Sequence, residues 1–137
     1  MGRQMFLNLP VKDLDRSVDF FTRLGFTFDP HFTDEKATRM IVGPEVSVML
    51  LVEEFFATFT LTPVADASAS TEVIVAVSAE DREDVDRLVD TALAHGAGRA
   101  RDTEDHGFMY GRSFVDPDGH LWEVVWMSAE AAAQGPP

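Results

Sequence analysis

No cysteine occurs among the 137 residues, which excludes disulfides, thiolate metal sites and cysteine nucleophiles together and fits a reducing compartment. Cations are scarce as well: 11 Lys and Arg stand against 24 Asp and Glu, a formal net charge of −13. A surface of that sign repels phosphate backbones and anionic lipid, so neither nucleic acid nor a membrane is an expected partner. No apolar run approaches the ~20 residues of a membrane helix. The opening MGRQMFLNLP has neither the charged start nor the apolar stretch of a secretory signal, and the expected location is cytoplasmic. Phosphate-cradling glycine loops, nucleophile elbows and dinucleotide fingerprints are also missing, which removes support for nucleotide-dependent chemistry.

What is present is a pattern that runs twice. A chain of this length fits one domain, whose core needs no covalent staple. FLNLPV, residues 6–11, alternates as a strand does, with Leu7, Leu9 and Val11 on one face and Phe6, Asn8 and Pro10 on the other. Asp13 offers an N-cap to LDRSVDFFTRLG, where Leu14, Val18, Phe21 and Leu24 fall near helical spacing and Gly25 supplies the stop. FTFDPHF, ATRMIVG and VSVMLLVEE then read as three strands, and EEFFATFT carries Phe55, Phe56 and Phe59 at near-helical spacing. The first module, about residues 4–61, is thus β-α-β-β-β, with a linker over 62–70.

The order restarts over residues 71–127. TEVIVAV is a strand, and Ser78 with Asp81 resembles a capping box. Val85, Leu88, Val89, Ala92 and Leu93 form a helical stripe that ends at Gly96. Residues 97–103 supply a weaker strand, and GFMYGRSFV and HLWEVVWM form a hairpin across DPDG. Residues 128–137 are expected to be disordered. The fold class that follows is α+β: two βαβββ modules in one chain, forming a curled mixed sheet around a cavity in which function should sit.

LNLPVKDLDRSVDFFTRLGFTF and FVDPDGHLWEVVW resemble the two most recognisable stretches of the vicinal oxygen chelate superfamily of glyoxalases, bleomycin-resistance proteins and extradiol dioxygenases. The resemblance spans nearly the whole chain, and the sequence looks especially similar to glyoxalase-related bacterial proteins of unsettled activity. It implies a homodimer and, in metal-using members, four cavity-facing ligands, one from the first and one from the last strand of each module. A divalent ion needs several N or O donors and open positions for substrate oxygens. Carried over, the first-strand positions fall on Phe6 and Glu72, and the last-strand positions on Leu50 (or, one residue on, Leu51) and Glu123. Two carboxylates, with Asn8 as a poor third donor, make a weak site, so no cofactor is expected.

A short loop centred on Pro117 and Asp118 pairs Val115 with His120, Phe114 with Leu121 and Arg112 with Glu123, which places Arg112 and then Tyr110 beside Glu123 in the cavity. His106 has the same parity. His95 suits a helix C-terminus, His120 is expected half exposed beside the turn, and neither they nor His31 shows a ligand spacing. Phe6, Met49, Phe108 and the Phe55, Phe56, Phe59 group fit either core packing or an aromatic wall.

The expected function is binding of a small organic molecule through Phe6, Asn8, Glu72, His106, Tyr110, Arg112 and Glu123, without the usual metal centre. Two alternatives stand beside it. One is a metal-dependent enzyme, similar to lactoylglutathione lyase or a dioxygenase, with Glu123 as the catalytic group and Glu72 and Glu123 holding Ni, Zn, Mn or Fe. The other is a non-catalytic dimerisation module.

Overall fold

The computed structural model describes residues 2–137. The chain separates into two compact units, Met1–Asp66 and Ala67–Pro137.

The first unit runs β1 (Met5–Val11), α1 (Leu14–Arg23), β2 (Thr27–Asp29), a 3₁₀ turn (Pro30–Phe32), β3 (Ala37–Gly43), β4 (Val46–Val52) and α2 (Glu53–Ala57). The strand order is β1, β4, β3, β2, with β1 parallel to β4 and the other pairs antiparallel. The Asp13 carboxylate accepts from Arg16 N at 3.1 Å, and Gly25 ends α1 with φ of 103°. Leu14, Ser17, Phe20 and Phe21 are the buried face of α1, a stripe turned slightly from the expected one, with Val18 at its margin. Leu9, Val11, Met40, Val48 and Leu50 complete the core of this unit.

The second unit repeats the plan with β5 (Ile74–Ser78), α3 (Arg82–Ala94), β6 (Gly98–Arg99), β7 (Glu104–Asp105), β8 (Met109–Val115), β9 (Leu121–Met127) and α4 (Ala129–Gln134). The order is β5, β9, β8, β6, with β7 also on β8, and β5 again runs parallel to β9. The fold is therefore α+β, with two mixed sheets of four and five strands. The cap of α3 is Asp81 itself, accepting from Asp84 N at 2.7 Å, rather than Ser78, which is still in β5. Val85, Leu88, Val89 and Ala92 are buried as their spacing requires. Where disorder was expected after residue 127, Ser128 caps α4 by accepting from Ala131 N at 3.2 Å, and Ala131 is buried. An alanine-rich segment with a serine cap has high helix propensity. Among the described residues no helix is long and apolar enough to cross a membrane.

Candidate functional site

The β8–β9 turn decides which side chains share a face. Asp116 N donates to His120 O at 2.9 Å, closing a loop with three residues inside it. The Asp116 carboxylate accepts from Asp118 N (2.9 Å), His120 N (3.0 Å) and Trp122 Nε1 (2.9 Å). Burial raises the Asp116 carboxyl above the usual range, against the neighbouring His120 and these donors. His120 is buried here, not half exposed. The odd loop length pairs Val115 with Leu121, Phe114 with Trp122, Ser113 with Glu123 and Arg112 with Val124. The expected pairing is off by one residue, and a one-residue slip moves every side chain to the opposite face.

Arg112 and Tyr110 consequently face α3 and not Glu123. Arg112 Nη1 binds Asp86 (3.0 Å) and Asp90 (2.9 Å), and Tyr110 Oη donates to Asp86 at 2.7 Å. These bonds hold the Asp86 carboxyl below the usual range, with Tyr110 the largest cause. The Arg82 guanidinium lies 4.9 Å from the Tyr110 ring centre and 5.3 Å from that of Trp126, and it forms a paired hydrogen bond with Asp105. This network fastens α3 to its sheet.

The opposite face of the same sheet carries Glu123. Its cross-strand neighbours are Ala76 on β5 and Ser113 on β8. The carboxylate has a cationic partner, but it is Arg101, from the coil after β6: Nη1 lies 2.9 Å from Glu123 Oε1. Arg101 also pairs with Glu104. Its backbone is pinned by Ser113, whose Oγ accepts from Arg101 N at 3.0 Å and donates to Arg101 O at 3.4 Å. Around these groups lies a cleft of about 150 Å³ that includes Asp102, Met109, Gly111 and Val125. Arg112 borders it only where β8 passes, since its guanidinium is spent on α3.

Glu72 is exposed and precedes β5, so Ala76 and not Glu72 stands opposite Glu123. His106 is also exposed. It stacks on Phe108 with ring centres 6.0 Å apart and lies 3.5 Å from Glu104, outside the cleft lining.

In the first unit, Phe6 and Asn8 occupy one face of β1, where their neighbours on β4 are Ser47 and Met49. Leu51 shares that face, whereas Leu50 lies on the other and is fully buried. The same face holds a group that the sequence reading passed over. Arg39 stacks on Phe6 (5.2 Å) and Phe32 (5.3 Å), donates to Ser47 Oγ at 2.9 Å and pairs with Asp29 at 3.5 Å. Its position inside an apolar strand was the available signal. Arg101 gave none, because only the folded coil brings it to Glu123. Among the described residues, no three His, Asp or Glu side chains gather as a metal site would require.

Two topologically equivalent units, each closing its last strand in parallel on its first, define the class of this protein. The profile of the Glyoxalase/Bleomycin resistance protein/Dioxygenase superfamily matches residues 3–124, and the chain belongs to that superfamily.

Solved structures share the fold. A hypothetical protein from S. aureus has a similar structure, with TM-score 0.77, 26% identity, and coverage of 92% of this chain and 95% of that one. The fosfomycin resistance protein FosX from Mesorhizobium loti shares the fold at TM-score 0.68 and 14% identity, covering 97% and 98%. TioX from Micromonospora sp. ML1 does so at 0.63 and 23%, covering 92% and 99%. Comparison with curated proteins gives no match.

Proposed function

We propose that this chain is a small-molecule-binding member of the superfamily that lacks its four-ligand metal centre and takes an organic ligand in the cleft beside Glu123. The observation that carries the reading is the Glu123 carboxylate, at the position of a family metal ligand, hydrogen-bonded to Arg101 and flanked by Ala76 and Ser113. A guanidinium on the carboxylate competes with a cation, and an alanine methyl donates nothing to one. The first-unit positions Phe6 and Leu51 are equally unable to ligate. The residues present therefore do not fit the family's metal.

Metal analysis of the purified protein joined to a thermal-shift screen tests this. Expected are less than stoichiometric metal and no gain in Tm from Ni, Zn, Mn or Fe. Some small organic compounds should raise Tm, by an amount equivalent to roughly 2.7 kcal/mol at a hundredfold excess over Kd. One metal per chain, with a Tm gain that E123Q removes, would overturn the proposal in favour of a metal-dependent enzyme.

A further inference from the structure

The cleft beside Glu123 also indicates what kind of molecule it takes, an inference that rests on the proposed function above. Asp102, Glu104 and Glu123 line it against one guanidinium, that of Arg101, because the Arg112 guanidinium is held by Asp86 and Asp90. Met109 and Val125 add apolar surface. Glu123 engages Arg101 through Oε1, and Oε2 has no hydrogen-bond partner among the described residues. The Glu123 side chain is 25% exposed and that of Arg101 55%, so the pair opens to the cleft.

Arg101 is built to move without disturbing the sheet. Its main chain is fixed on both sides by Ser113 Oγ, while its side chain already touches a second carboxylate, Glu104. A guanidinium that leaves Glu123 keeps a counter-ion, and an incoming cation restores one to Glu123, so neither carboxylate is left bare. An incoming anion meets the Glu104 and Glu123 carboxylates and gains only a cation that is already shared between them. From this we propose that the cleft selects a small organic cation, an amine with an apolar body, and that Arg101 is a specificity-determining gate that the amine displaces from Glu123 onto Glu104.

Calorimetric titration with benzylamine, benzyl alcohol and benzoate, three probes of nearly one shape, tests the proposal on the full chain at low salt. Benzylamine should bind most tightly. R101A should tighten benzylamine about tenfold by vacating Glu123, and E123Q should weaken it by about tenfold or more while changing benzyl alcohol less than about twofold. Unchanged circular dichroism and Tm establish that both variants are folded, and E123A serves in place of E123Q if that variant is not. Tighter binding of benzoate or benzyl alcohol, or weaker benzylamine binding by R101A, would overturn the gate and its cation preference while leaving the cleft as a ligand site. Failure of all three probes to bind, with R101A equally silent, would count against the cleft as a binding site and so remove both readings.

Discussion

At the scale of single residues, Asp86 is a hinge between electrostatics and packing. It accepts from Tyr110 at 2.7 Å and from Arg112 at 3.0 Å, and these donors stabilise its ionised form. A carboxyl held below its unfolded value contributes stability above about pH 4 and loses it as the pH falls through the lowered folded value. D86N should therefore cost on the order of 1 kcal/mol at neutral pH, a modest figure because the side chain is 46% exposed. In urea denaturation the gap between D86N and wild type should narrow below about pH 4. Y110F removes the largest cause of the shift, so it should reproduce part of both effects while leaving ligand affinity at the Glu123 cleft unchanged.

At the scale of elements, the Asp116–His120 turn has the most leverage. Gly119 has φ of 94°, and a Cβ there would lie 2.8 Å from Ser68 N and 2.9 Å from Ala67 C. Gly96, at the end of α3, has φ of 105° but a Cβ there would face open space. Both G96A and G119A should lose the roughly 1–3 kcal/mol of an unfavourable backbone, and G119A should lose more because backbone atoms cannot move aside as a flexible side chain does. Thermal denaturation of the two variants side by side measures that excess, and equal losses would show that the 67–68 segment simply shifts.

The same turn marks where the sequence stops being readable. Capped helices and strand parity were legible, since Asp13, Gly25, Gly96 and the Val85, Leu88, Val89, Ala92 stripe act locally. The side of the sheet that Arg112 faces depends on whether His120 belongs to the loop or the strand, which the Asp116 carboxylate settles by binding His120 N and Trp122 Nε1 together. A fully satisfied buried aspartate is a tertiary event, and DPDGH has no periodicity to announce it. The place of Glu123 on the last strand was legible through its motif, whereas Arg101 and Arg39 were placed by coil and sheet partners remote in sequence.

At the scale of the whole molecule, the net charge of −13 acts on every approaching ligand. It concentrates cations and depletes anions near the surface, an effect that salt screens over a Debye length of ~10 Å at 0.1 M. Benzylamine affinity should fall when salt is raised from about 20 mM to about 200 mM, and benzyl alcohol affinity should stay nearly flat. Parallel loss for the two probes would place the salt effect in the fold instead.

Each unit pairs its first strand in parallel with its last, Met5 with Val46 and Ile74 with Leu121. The consequence is one of timing. A parallel partner cannot be reached through a tight hairpin, so β1 and β5 must wait through almost the entire synthesis of their own units before an edge exists to receive them. On the ribosome, β1 can dock once β4 has emerged, while β5 stays unpaired until β9 is made. During that interval its Ile-Val-Ala-Val run is an unpaired apolar segment open to misassociation in the nascent chain.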